Sequence, residues 1–142
     1  MTPSTNRPHR VLIVDDEEPI LKLVDRVLRK AGYQTLLAHS AAEALELAQN
    51  NESFDLLLTD LMMPGMSGDE LARQLFQQRP FLKVIYLTGF SDRLFESRSS
   101  LWSNEAFVDK PVSVAALREA VSQMLFGHMR GPETTATEPA SD

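Results

Sequence analysis

The feature that most constrains this chain is a run of four apolar residues, Val11-Leu12-Ile13-Val14, that stops abruptly at two adjacent acids, Asp15-Asp16. A strand that is apolar at every position has no face to offer to water, so it belongs in the middle of a sheet covered on both sides. The acids that end the run then sit at the strand's carboxyl end. Ile20, Leu21, Val24, Val27, Leu28 and Ala31 recur at helical spacing and Gly32 follows as a stop signal, which predicts a helix over Pro19 to Lys30. Short apolar runs and helical segments alternate from there to Phe126, and that alternation predicts an α/β fold with a parallel sheet between helices.

The remaining strands are expected at Tyr33 to Ala38, at Phe54 to Thr59 ending in Asp60, at Val84 to Thr88, and at Ala106 to Asp109 ending in Lys110-Pro111. Ser40 with Glu43 and Ser67 with Glu70 have the spacing of capping boxes, opening helices through about Ala48 and about Gln77. Ser113 caps a last helix with Leu117, Val121 and Leu125 on one face. A short helix is expected within Ser91 to Asn104, where Trp102 either packs under a loop or stands out as an anchor. Residues 1–9 are polar and read as a flexible segment, residues 10–126 as one domain, and residues 127–142, interrupted by Gly and Pro, as a flexible tail or linker.

Composition removes several classes of function. A chain of 142 residues buries roughly 70% of its unfolded surface, enough for one core. There is no cysteine, and His9, His39 and His128 are scattered, which leaves no thiolate or zinc cluster. His39 is expected at the surface. The net charge of -6, from 14 basic and 20 acidic residues with no basic run, argues against direct nucleic-acid binding. No apolar stretch is long enough to span a membrane, so a cytoplasmic location is the expectation.

Chemically pointed residues gather at the predicted strand ends: Asp15-Asp16, Asp60, Thr88 and Lys110. Open parallel sheets bind ligands outside the carboxyl ends of their strands. If these strands are neighbours, the carboxylates repel one another unless a cation neutralises them, and Mg²⁺ suits a few carboxylate oxygens with waters retained. A lysine and a threonine beside such an ion suit phosphoryl oxygens, which points to phosphoryl transfer. Asp60 stands alone before the turn Leu61-Met62-Met63-Pro64-Gly65 and is the better nucleophile, whereas Asp15 and Asp16 are better placed to hold metal. Asp16 could also cap the first helix.

The chain resembles the receiver domain of bacterial two-component response regulators. The resemblance runs from about Arg10 to Phe126 and rests on V-L-I-V-D-D-E-E, L-L-L-T-D-L-M-M-P-G-M-S-G, V-I-Y-L-T-G and F-V-D-K-P, in that order. It implies a flavodoxin-like five-stranded sheet of order 2-1-3-4-5 with five helices. It also implies Asp60 as phospho-acceptor and metal ligand, Asp15, Asp16 and the backbone carbonyl of Met62 as further ligands of Mg²⁺, and Thr88 and Phe107 as a switch pair. Lys110 would contact the phosphoryl group, with its bond to Pro111 cis. The implied donor is a sensor histidine kinase or a histidine phosphotransfer protein. Output would pass to a downstream protein through the face of the fourth helix, fifth strand and fifth helix, which could also serve a homodimer.

The residues two beyond Asp60 and two beyond Thr88 are Met62 and Phe90, both apolar, and a poorly held water there predicts a long-lived phosphoryl group. The stretch before the fifth strand lacks the small Gly-Ala pair often found in the family. Two other classes compete. An aspartyl-phosphate hydrolase of the haloacid-dehalogenase kind would carry D-x-D after the first strand, where this chain has D-D, and would need a cap domain. A receiver-like module that only binds partners would not need the full set of acids, Thr and Lys. A signalling protein rather than an enzyme is therefore expected, and a stand-alone regulator is favoured over an excised receiver.

Overall fold

The computed structural model describes residues 8–50, 52–89 and 105–127. Five strands, β1 (Arg10–Val14), β2 (Gln34–Ala38), β3 (Leu56–Asp60), β4 (Lys83–Thr88) and β5 (Glu105–Asp109), form one parallel sheet in the order β2-β1-β3-β4-β5. Among the described residues there are four helices: α1 (Glu18–Lys30), α2 (Ala41–Gln49), α3 (Gly68–Phe76) and α4 (Val114–Phe126). This is the flavodoxin-like α/β architecture. The helix expected within Ser91 to Asn104, Trp102 and Phe90 lie outside the described residues, as do the first seven residues and the tail beyond Gly127.

The apolar strands divide their side chains between two cores, as period-two alternation requires. Leu12, Val14, Leu57, Val84 and Tyr86 face α2 and α3, together with Leu71 and Leu75. Val11, Ile13, Leu56, Leu58, Ile85 and Leu87 face α1 and α4, against Leu21, Leu28, Leu117 and Val121. The three central strands β1, β3 and β4 are buried almost throughout. That is why they carry no polar alternation and why their carboxyl ends are held in one rigid row.

Local details depart from the sequence expectations for identifiable reasons. β3 begins at Leu56 rather than Phe54, because Asp55 is engaged at the strand's start: its carboxylate accepts from the Arg10 amide at 2.8 Å, and its own amide donates to the Arg10 carbonyl at 2.8 Å. Phe54 instead lies under the Arg79 guanidinium, 4.7 Å from the ring centre. Ser67 and Glu70 form the complete capping box at α3. Ser40 makes only its own half: Glu43 turns its carboxylate to the amide of His39 at 2.7 Å instead of to Ser40. Asp16 does not cap α1, whose N-cap is Glu17 without a side-chain hydrogen bond and whose first turn contains Pro19.

Candidate functional site at the carboxyl ends of the strands

Asp15 directly follows β1, Asp60 is the last residue of β3, and the two strands are hydrogen-bonded neighbours with Val14 opposite Thr59. Their carboxylates are thereby brought to one end of the sheet. Lys110 follows β5, two strands from β3, and its amide donates to the Thr88 carbonyl at 2.7 Å. From that anchor its side chain reaches past the end of β4, with Nζ 3.3 Å from Asp60 Oδ1 and 3.5 Å from Asp15 Oδ2. The Lys110–Pro111 peptide bond is cis. Asp15, Asp16 and Asp60 each present an oxygen within 4.8 Å of the others; Asp15 and Asp60 are buried and Asp16 is exposed.

The loop after β3 is shaped by two glycines. Gly65 has φ +86°, a left-handed conformation that a side chain disfavours. Gly68 opens α3, donates its amide to the Leu61 carbonyl at 2.7 Å, and packs so closely that a Cβ there would collide with the backbone oxygen of Asp60. The helix start is thus pressed against the residue at the centre of the site.

One ammonium among three carboxylates leaves an excess of negative charge in a mostly buried place. Burial pushes the Asp60 carboxyl up to about 6, helped by the charge of Asp15 and opposed by Lys110. Asp15 is also raised, by burial, against the lowering effects of the Glu17 amide and Lys110. Burial works against the charge on Lys110, yet Asp60 and Asp15 hold its pKa above the ordinary lysine value. Asp15 Oδ1 accepts from the Glu17 amide at 2.8 Å, whereas its fully buried Oδ2 has no hydrogen-bond partner. A buried oxygen with only the Lys110 ammonium near it, at 3.5 Å, and two further carboxylates beside it fits a hard divalent cation, which would satisfy the oxygen and cancel the excess charge.

Thr88 is buried at the end of β4, and its hydroxyl donates to Asp109 Oδ1 at 3.0 Å. Phe107 is half-buried, with its ring centre 5.5 Å from that of Tyr86. Met62, two residues beyond Asp60, has an exposed side chain. Three participants escaped the sequence analysis: Asp109 as acceptor for Thr88, Glu105 as acceptor for the buried Tyr86 hydroxyl at 2.6 Å, and Gly68. For the first two the sequence carries half of the signal: alternation puts Glu105, Phe107 and Asp109 on one face of β5, and only the β4–β5 register then sets them opposite Val84, Tyr86 and Thr88. No comparable signal marks Gly68, whose close approach to Asp60 exists only in the folded chain.

Residues 11–122 match the family described as the response regulator receiver domain. The response regulator receiver protein CpdR of Brucella abortus is 34% identical over 117 residues, covering 82% of this chain and 97% of that protein. The polar-differentiation response regulator DivK of Brucella ovis is 33% identical, covering 81% and 94%. Within the sensor kinase CckA of Brucella abortus, a unit of 12% of that protein is 32% identical to 81% of this chain. Among solved structures, the response regulator TrrA of Thermotoga maritima in complex with Mg²⁺ and BeF is similar at a TM-score of 0.72 and 33% identity, covering 82% of this chain and 99% of that one.

Proposed function

Since the chain belongs to the response regulator receiver domain family, we propose that it works as the phospho-acceptor of a two-component pathway, with Asp60 taking the phosphoryl group. Receiver domains are signalling domains, and the acidic pocket of Asp15, Asp16 and Asp60 is where this one would receive its signal. The observation that carries the proposal is the convergence of these acids with the Lys110 ammonium, 3.3 Å from Asp60.

An Asp60 carboxylate oxygen attacks the phosphorus of a phosphohistidine. The new P–O bond forms as the P–N bond breaks, and the imidazole leaves with the electron pair and later takes a proton from water. Lys110 holds a phosphoryl oxygen as a point charge, and after transfer the Thr88 hydroxyl donates to another. Asp15, Asp16, Asp60 and the Met62 carbonyl would hold Mg²⁺, which supplies charge neutralisation for the transferring oxygens. Phe107 turns inward as Thr88 moves, changing the face of β5 and α4 that a downstream protein or a second copy of the chain would read. To carry a population from near 1:99 to near 99:1, the phosphoryl contacts must favour the active state by about 5.5 kcal/mol, within reach of two or three charge-assisted hydrogen bonds.

The donor is a sensor histidine kinase or a histidine phosphotransfer protein, which places the reaction in the cytoplasm. CckA and DivK among the relatives support a kinase-linked role. No helix among the described residues is long and apolar enough to cross a membrane. The receiver domain spans residues 10–126 on this reading. The test is intact mass after incubation with Mg²⁺ and acetyl phosphate: one phosphoryl adduct is expected, absent in Asp60→Asn, and decaying slowly because Met62 offers no polar group to a hydrolytic water. An adduct that survives Asp60→Asn, or none with either acetyl phosphate or a phosphorylated kinase, refutes the assignment.

A further inference from the structure

The face of β5 toward α2 and α3 carries Glu105, Phe107 and Asp109 in a row, and the facing residues of β4 are Val84, Tyr86 and Thr88. Both β4 hydroxyls are given to β5 carboxylates: Tyr86 to Glu105 at 2.6 Å and Thr88 to Asp109 at 3.0 Å. These two bonds bracket Phe107, whose ring lies against Tyr86. The Tyr86 bond is buried, whereas Asp109 is exposed and can return to water at little cost. Of the two, only the Thr88 bond is built to be exchanged.

A threonine hydroxyl has one proton to donate. In this structure it goes to Asp109, directly opposite Thr88 in the β4–β5 ladder, and so is withheld from the acceptor site around Asp60. We infer that Asp109 is a positioning residue that holds the Thr88 hydroxyl in competition with the phosphoryl oxygens, setting how readily the acceptor site takes its group. This rests on the function proposed for Asp60 and extends it to a residue outside the acid cluster. The bond is charge-assisted, so losing it favours the phosphorylated state measurably, yet the hydration regained by the exposed Asp109 carboxylate keeps the bias modest.

The test uses the full chain with saturating Mg²⁺ and beryllofluoride as a non-covalent phosphoryl mimic, following half-saturation by amide NMR shifts. Asp109→Ala is expected to lower the half-saturating concentration about fivefold to tenfold. Asp109→Asn, which keeps an acceptor oxygen without the charge, should fall between. In a Thr88→Val background the Asp109→Ala effect should vanish, and Thr88→Ser, which restores the hydroxyl, should bring it back. An Asp109→Ala effect of equal size in the Thr88→Val background would assign Asp109 to general charge repulsion and overturn the inference, as would no effect in the wild-type background. A wild-type chain that binds no beryllofluoride and forms no phosphoryl adduct removes the proposed function and this inference together; a wild-type chain that binds it, with Asp109→Ala unchanged, removes this inference alone.

Discussion

Replacing Asp60 by Asn should make the metal-free protein more stable. The folded structure holds the Asp60 carboxyl at about 6 instead of 3.8, chiefly because the group is buried and faces Asp15. At 1.36 kcal/mol per pKa unit, a gap of roughly two units means that the charged carboxylate costs about 3 kcal/mol of stability at neutral pH. The sign follows from the direction of the shift. Between about pH 4 and pH 6 the folded state binds the proton and the unfolded state has released it, so stability falls as pH rises through that window and stays lowered above it. Asn keeps a carbonyl oxygen toward Lys110 without the charge. Urea denaturation in chelator near neutral pH should therefore place the Asp60→Asn midpoint higher by about 1.5 M, for a slope of about 2 kcal/mol/M. The advantage should shrink toward about pH 4, where the wild-type carboxyl is protonated, and should also shrink when Mg²⁺ is added, because binding to the three acids stabilises the wild type more. A variant no more stable than wild type in chelator at neutral pH, or an advantage that grows toward acid, would refute the reasoning.

Gly68→Ala gains helix propensity yet forces a Cβ against the Asp60 backbone oxygen, so it should lower the urea-unfolding stability by about 2 kcal/mol and weaken Mg²⁺ binding in the same preparation. His39, hydrogen-bonded to Glu18 at 2.7 Å and to Glu43 at 3.3 Å, has its pKa raised above 6.5 by those two bonds. Its contribution to stability is full below pH 6.5 and is lost as pH rises through the higher folded value; an NMR titration should find the midpoint above 6.5 and find it lowered by Glu18→Gln.

Much of the fold was legible because burial leaves a periodic trace in the chain. The unbroken run Val11 to Val14 marked a strand covered on both faces, and the spacing of Leu21, Val24 and Leu28 marked the helix that covers it. Capping was half-legible: Ser67 and Glu70 close on each other as their spacing predicts, while Glu43 has the same spacing from Ser40 and is drawn off by His39, a competition between neighbours that spacing does not encode. The polar residues at the strand ends could also be read, since Asp15, Asp60, Thr88 and Lys110 each interrupt or follow an apolar run.

The α/β class, the positions of the strands and the presence of acids at their ends were therefore legible in the sequence alone, because burial and helix geometry impose a pattern of apolar residues that can be read within a few residues along the chain. The tertiary structure decided what those acids meet. Residues 15, 60 and 110 are distant along the chain, and only the order β1-β3-β4-β5 sets Lys110 Nζ within 3.5 Å of both buried carboxylates and raises Asp60 to about 6. The same ladder, not any local signal, sets Thr88 opposite Asp109. Desolvation and charge act through space, so they come into being only when the sheet brings the strand ends together.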